Sequence, residues 1–193
     1  MKNFFCYGVL ALSLMACSSL PTREHEVEGQ VTANEINKVM RETYWHLIGR
    51  LSMRNDRESW FTSLEWRHNQ SDDFLILTTT LGGVVAKLRY AAGVITVLEP
   101  DKVERVISEQ ELGSLLGYSP PIQHLRFWVR GIPNPMLDAQ FDVAPVGVRR
   151  FSQDGWYINL ERFGAFNDGS LPGKMSISKE QIKIKIVVDK WLD

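Results

Sequence analysis

Cysteine is scarce in this sequence. Its 193 residues include two, Cys6 and Cys17, and both lie within the first 17 positions. The rest of the chain therefore offers no pair for a disulfide and no thiolate for a metal, so its core must hold by packing alone. We expect no metal site, because no H-E-x-x-H or related ligand spacing links the four histidines: His25, His46, His68 and His124.

Recognisable catalytic motifs are also missing. There is no G-x-S-x-G, no P-loop and no G-x-G-x-x-G, and the nearest look-alike, Gly113–Gly117, places its serine inside a predicted helix. The neighbouring Asp72 and Asp73 fall in a predicted turn. We therefore interpret them as solvated loop residues rather than as groups for acid–base catalysis. The net charge of -1 gives no basic excess for nucleic acid. We expect no enzyme, no cofactor and no nucleic-acid partner.

No hydrophobic run is long enough to span a bilayer, but a short one lies at the N-terminus. Lys2 precedes the apolar segment Phe4–Met15, which ends in Leu14-Met15-Ala16-Cys17. This pattern is typical of a lipoprotein signal, with cleavage before Cys17 and lipid attachment to its thiol. An ordinary secretory signal or a buried helix is the alternative, although Leu14 fits poorly where an A-x-A cleavage site needs a small residue.

The residue after the predicted lipid site bears on the location of the protein. Ser18 stands where bacterial envelope lipoproteins that remain in the inner membrane carry Asp. By resemblance to those lipoproteins, the predicted location is the outer membrane, with the protein lipid-anchored and facing the periplasm. We divide the chain into a signal peptide at 1–16, a lipidated tether at 17–30 and one domain at 31–193. Residues 21–30 are polar and acidic and could bury no face.

The first half of the domain is predicted to be a short helix followed by a β-meander. Apolar residues at helical spacing predict a helix over 31–42, and beyond it the period changes to two. Gly82-Gly83, Ala91-Ala92-Gly93 and Pro100-Asp101-Lys102 are turn signals, so consecutive strands should pair antiparallel. The six predicted strands are 45–53, 60–67, 74–80, 84–90, 94–98 and 103–107.

Two helices interrupt the strands. Ser108 and Glu111 form a capping-box pattern that opens a helix ending at Gly117, and Pro120-Pro121 precedes a second helix over 122–130. With the later segments this makes a mostly antiparallel sheet of about ten or eleven strands. If the helices fill the mouth of such a sheet, it encloses an apolar volume. The five later strands are 141–143, 148–152, 156–162, 174–178 and 182–188.

A series of short segments, taken in order along the chain, forms a recognisable pattern. The segments are Gly49-Arg50-Leu51-Ser52, Leu64-Glu65-Trp66, Thr80-Leu81-Gly82, Leu125-Arg126-Phe127-Trp128, Gly131-Ile132-Pro133, Gln153-Asp154-Gly155-Trp156, Leu171-Pro172 and Ile184-Lys185-Ile186-Val187-Val188-Asp189-Lys190-Trp191. In this order they resemble the LolB family of outer-membrane lipoproteins, and the resemblance extends from about Tyr44 to Trp191. One departure is Thr79-Thr80, where the family often has Asn-Pro.

The resemblance implies a mainly β fold of the LolA/LolB type: an open, unclosed antiparallel β-barrel of about 10–11 strands wrapped over a few α-helices. It also implies that an apolar cavity accepts triacylated lipoproteins from the periplasmic carrier LolA and that the protein inserts them into outer-membrane lipid. No ATP or covalent chemistry is implied, and we expect a monomer. An acyl chain of about 16 carbons gains on the order of 10 kcal/mol on leaving water, which suits such a carrier.

The resemblance also implies roles for particular residues. The family leucine that matches Leu81 inserts into the membrane from a protruding hairpin, whereas an ordinary core leucine is the alternative. Arg50 and Arg126 are candidates for binding carboxyl or phosphate groups at the cavity mouth, although a solvated strand or helix face is the favoured interpretation for both. Seven residues are candidates for the cavity wall or lid, with packed core as the alternative for each: Trp66, Leu77, Leu115, Leu116, Leu125, Trp128 and Ile184.

Two other functions fit the residue pattern. A structural outer-membrane lipoprotein would act as a scaffold and bind a protein partner by edge pairing of its sheet, without holding lipid. An acyl hydrolase is a third possibility. The scaffold predicts a filled core with an exposed patch, the carrier predicts an apolar cavity, and the hydrolase predicts a reactive serine.

Overall fold

The computed structural model describes residues 30–98, 103–116, 120–167 and 169–192. The predicted signal peptide, Cys17 and the predicted turn at 100–102 lie outside these ranges. The helices are α1 Ala33–Arg41, α2 Glu109–Leu116 and α3 Ile122–Trp128. The strands are β1 Tyr44–Arg54, β2 Ser59–Asn69, β3 Asp72–Thr78, β4 Val84–Ala91, β5 Val94–Leu98, β6 Glu104–Ile107, β7 Gln140–Phe141, β8 Arg149–Gln153, β9 Trp156–Glu161, β10 Gly164–Phe166, β11 Gly169–Leu171, β12 Lys174–Lys179 and β13 Ile182–Leu192.

Eleven of the strands form one antiparallel sheet in the order β6-β5-β4-β3-β2-β1-β13-β12-β9-β8-β7. The two halves of the chain meet where β1 pairs with β13, from His46 opposite Leu192 to Arg54 opposite Lys183. Among the described strands, β6 and β7 form the two edges, so the sheet is not closed. The predicted mainly β fold with an unclosed antiparallel sheet is confirmed.

The segment between β6 and β7 contains α2 and α3, as the sequence predicts. The capping box is present: the Ser108 backbone N–H donates to Glu111 Oε2 at 2.8 Å, and the Glu111 N–H donates to Ser108 Oγ at 3.1 Å. A second capping box joins Thr32 and Glu35 at the start of α1. The last predicted helix is shorter than expected, since α3 ends at Trp128.

The concave side of the sheet holds the hydrophobic core. Strand residues alternate between buried and outward-facing positions, as in β1, where Leu47, Leu51 and Met53 are buried. Ile122, Leu125 and Trp128 of α3 are buried in the same cluster. Of the helices within the described ranges, none has both the length and the apolar character needed to cross a bilayer.

Candidate functional site

An apolar cavity lies between α3 and the concave side of the sheet. Its volume is about 40 Å³, and no charged side chain is among the described residues that line it. Ligand pockets measure roughly 300–1,000 Å³, so the protein's own side chains nearly fill this one. The lining residues are Leu51, Trp60, Leu64, Trp66, Leu75, Leu77, Leu88, Pro120, Ile122, Leu125, Ile184 and Ile186.

The structure brings four of the seven candidate cavity residues together in this lining. Trp66, Leu77, Leu125 and Ile184 come from β2, β3, α3 and β13, and all four are buried. Their strand positions face inward because alternate residues of a pleated strand point to the same side. The side chains of Leu115 and Leu116 lie outside the described part of the structure.

Trp128 does not line the cavity. It is fully buried, its Nε1 donates to Gln153 Oε1 at 2.8 Å, and its ring stacks on His124 with centroids 5.4 Å apart. Gln153 Nε2 in turn donates to the backbone oxygens of Asn134 and Leu137. Burial lowers the pKa of His124. Trp128 therefore has the geometry of the packed-core alternative, in a network that connects α3 to the loop after it.

A buried ionic cluster fixes one side of α3 to the sheet. Asp73 is fully buried, and its Oδ1 accepts from Trp66 Nε1 at 3.0 Å and lies 2.8 Å from His68 Nδ1. Arg126 Nη2 donates to Asp73 Oδ2 and, at 2.9 Å, to the backbone oxygen of Ser71. The expectation of a solvated carboxylate is therefore wrong for Asp73, because it is the second residue of β3, faces inward, and has three side chains that compensate its desolvation.

The neighbouring charged residues differ in their surroundings. Asp72 faces outward and pairs with Arg89 at 2.6 Å, and Arg89 lowers the pKa of the Asp72 carboxyl through a hydrogen bond. Arg130 is buried, donates to the backbone oxygen of Val39 at 2.7 Å and lies over the Trp45 ring; burial lowers its pKa to about 10. The two arginines predicted at the cavity mouth also differ. Arg126 is largely enclosed, whereas Arg50 is exposed and pairs with Asp189 at 2.8 Å.

The hairpin between β3 and β4 presents Leu81 to solvent. Its side chain is 97% exposed, more than any other large apolar residue in the described ranges. Gly82 adopts φ +85°, and the Gly83 N–H donates to Thr79 Oγ1 at 3.0 Å. The Thr79 N–H donates to the Gly83 oxygen at 2.8 Å, so Thr79 closes the loop where the family often has Asn. Val84 and Val85 extend the exposed apolar surface.

Comparisons with known proteins agree with this geometry. The family model described as outer membrane lipoprotein LolB matches residues 43–191. The chain belongs to the LolB family. An outer-membrane lipoprotein LolB from Thiobacillus denitrificans is 33% identical over 150 residues, covering 76% of this chain and 79% of the relative. The LolB of Nitrosococcus oceani is 30% identical over 190 residues, covering 95% and 94%.

Solved structures support the fold of this LolB-family chain. A LolA superfamily protein from Nitrosomonas europaea aligns with a TM-score of 0.51 and 7% identity, covering 84% of this chain and 93% of that one. A DUF1329 family protein from Desulfovibrio piger aligns with a TM-score of 0.53 and 8% identity, covering 82% and 88%. At such identities the likeness concerns the fold.

Sequence reasoning missed several residues around the site of this LolB-family chain. The sequence pattern predicts a turn at Asp73 and gives Gln153 no role beyond its family segment. Phe61, 74% exposed on β2, was not singled out. The strand alternation could have identified Phe61. Its neighbours Trp60 and Thr62 face the core, so the side chain of Phe61 must face the other side of the sheet.

Proposed function

We propose that this chain accepts acylated lipoproteins from a LolA-type periplasmic carrier and inserts them into the outer membrane. The observation that supports this most is the apolar cavity under α3, whose described lining carries no charge. An acyl chain needs such surroundings, and an acceptor of this kind needs neither ATP nor a catalytic group. Membership of the LolB family supports the direction of transfer, from the LolA-type carrier to this chain and then to the outer membrane.

The cargo acyl chains would occupy an enlarged form of this cavity. Each buried methylene contributes about 0.8 kcal/mol, so a chain of about 16 carbons gains on the order of 10 kcal/mol on leaving water. That gain is available on the carrier as well. A difference in affinity between the two proteins is therefore sufficient to move the cargo.

Loading requires α3 to move away from the sheet. Ile122 and Leu125 supply the helical side of the cavity, so displacing α3 widens it. The segment that carries α3 joins the two sheet edges, β6 and β7, which do not pair with each other in the described structure. The bonds of Arg126 to Asp73 and Ser71 would have to stretch or break during this movement.

Membrane attachment and delivery would use two further parts of the chain. Cleavage of residues 1–16 would leave Cys17 with a diacylglyceryl group and an N-acyl chain, and residues 17–30 would tether the domain at 31–193. Several acyl chains satisfy the two-signal requirement for stable anchoring. The exposed Leu81 would enter the membrane during release of the cargo.

A transfer experiment tests this function. A soluble form without residues 1–16 and with Cys17 replaced is mixed with LolA preloaded with a triacylated lipoprotein, and each protein is recovered through its own affinity tag. Transfer without nucleotide is expected. Cargo that stays on LolA, while circular dichroism shows the domain folded, would contradict the proposal and favour the scaffold function. An acyl-site inhibitor that blocks transfer would favour the hydrolase.

A further inference from the structure

A second surface feature lies on the convex side of the sheet, at the base of the Leu81 hairpin. A groove of about 420 Å³ runs across β2, β1 and β13 and reaches Thr80, the residue before Leu81. It is separate from the cavity under α3, because outward-facing side chains of the three strands form most of its lining. These include Arg50, Ser52, Phe61, Ser63 and Lys185.

The strand register gives the groove an apolar side and a cationic side. Phe61 pairs with Ser52, and Ser52 pairs with Lys185, so the three side chains form one row across three strands. Adjacent strands lie about 4.8 Å apart, which separates Phe61 from Lys185 by roughly 10 Å at the backbone. In the next row, towards the end of the sheet, Arg54 pairs with Lys183.

All charges on these segments are positive. Residues 50–54, 59–63 and 183–187 contain Arg50, Arg54, Lys183 and Lys185 and no acidic residue. Arg50 pairs with Asp189, but no carboxylate in the described ranges pairs with Lys183 or Lys185. This excess contrasts with a net charge of -1 for the whole chain. Thr80, the residue before the exposed Leu81, lines the same groove as Arg50 and Lys185.

We propose that this groove binds the headgroup phosphate of an anionic phospholipid when the Leu81 hairpin enters the membrane. Lys183 and Lys185 attract the phosphate, the hydroxyl of Ser52 donates to one of its oxygens, and Phe61 enters the acyl region beside Leu81. The inference rests on the proposed membrane insertion of Leu81.

Two features make a phospholipid the matching occupant. In a phospholipid the phosphate is joined to the acyl chains through the glycerol, and Lys185 and Phe61, roughly 10 Å apart at the backbone, can reach the two parts because the lysine side chain is long. A basic residue near an anionic membrane surface also strengthens binding by about fivefold. The groove would therefore hold the hairpin at one orientation, whereas Leu81 alone supplies a single apolar contact.

The test uses the full lipidated chain reconstituted in vesicles of phosphatidylethanolamine and phosphatidylglycerol with brominated acyl chains. With Cys17 acylated, Phe61→Cys, Leu81→Cys or Val94→Cys each introduces a single thiol for an environment-sensitive fluorophore. Bromine quenches a fluorophore only within the acyl region. Val94 is exposed at the opposite end of β4 and serves as the control.

Quenching at Leu81 and Phe61, without quenching at Val94, is the expected result. Quenching at Leu81 alone would overturn the groove proposal and leave the insertion of the hairpin intact. If neither Leu81 nor Phe61 is quenched, the insertion itself fails, and the groove proposal fails with it.

The role of the lysines is tested in the Phe61→Cys background. Changing both Lys183 and Lys185 to serine should weaken docking by roughly twentyfold and remove the quenching, as should vesicles of phosphatidylcholine alone. The control Lys190→Ser removes one positive charge from the other end of β13 and should leave the quenching unchanged. Quenching that is equal in the double variant and the control would show that the lysines bind no headgroup.

Discussion

At the scale of single residues, the exposure of Leu81 is the feature on which the proposed delivery step depends. The Gly82 turn keeps this side chain out of the core, so its removal should leave the cavity unchanged. Burial of a leucine in lipid contributes about 1.5–3 kcal/mol, equivalent to a change of roughly tenfold or more in membrane association. Such an energy orients the protein on a membrane without anchoring it.

Replacing Leu81 by glutamate should therefore separate acceptance from release. We expect Leu81→Glu to take cargo from LolA as well as the unchanged protein does, while incorporation of cargo into liposomes falls at least tenfold. Met136→Glu is the matched control, because Met136 is also exposed but lies in the loop after α3. Equal incorporation by both variants would contradict the role of Leu81.

Asp73 and Asp72 provide a second test at this scale, because they are adjacent but differ in burial. Asp73→Ala leaves Arg126, Trp66 Nε1 and His68 without their shared acceptor, so we expect a loss of about 3–5 kcal/mol in the free energy of unfolding. Asp72→Ala removes only an exposed pair and should cost far less. Urea unfolding measures both, and a loss for Asp73→Ala as small as that for Asp72→Ala would show that the cluster does not stabilise the protein.

At the scale of helices and strands, local patterns predicted the elements better than their long-range pairing. The Ser108 capping box and the Gly82-Gly83 turn are signals within a few residues, and the structure has both. The hairpin of β10 and β11 was missed, because three-residue strands are too short to show alternation. The pairing of β1 with β13 joins residues about 140 positions apart, and no local pattern specifies such a contact. The inward phase of Trp66 and Ile184 was readable, but alternation alone does not distinguish a cavity wall from a packed core.

Gly49 tests the pairing of β1 with β13. The register shifts between Ile48 and Gly49, and a Cβ added at Gly49 would lie 2.4 Å from the Val187 oxygen. Gly49→Ala must therefore push the strands apart, and we expect a loss of about 1–3 kcal/mol in the free energy of unfolding. Gly164→Ala is the control, since nothing lies within 4 Å of a Cβ there. A neutral effect of Gly49→Ala would mean that the bulge adapts freely.

At the scale of the whole molecule, the small cavity and the open sheet are consistent with the loading mechanism proposed above. A volume of about 40 Å³ cannot hold an acyl chain, so that mechanism requires the cavity to widen. A closed sheet would resist widening, but here the segment with α2 and α3 bridges two edges that do not pair. Cargo binding would then replace contacts between α3 and the sheet by contacts with lipid. The free energy needed to open the site is subtracted from the free energy gained by burying the lipid, and the difference sets the affinity for cargo.

This mechanism predicts that enlarging the cavity from the α3 side will increase lipid uptake while it reduces stability. Leu125→Ala removes a lining side chain, so it should cost about 2–5 kcal/mol in unfolding free energy. It should also raise the binding of bis-ANS severalfold, and a fatty acid should displace the dye. Val129→Ala truncates a fully buried residue just after α3 that does not line the cavity, so it should destabilise the protein without raising dye binding. If both variants bound the dye equally, the dye would report general loosening of the core, and the cavity under α3 would no longer be the favoured site for acyl chains.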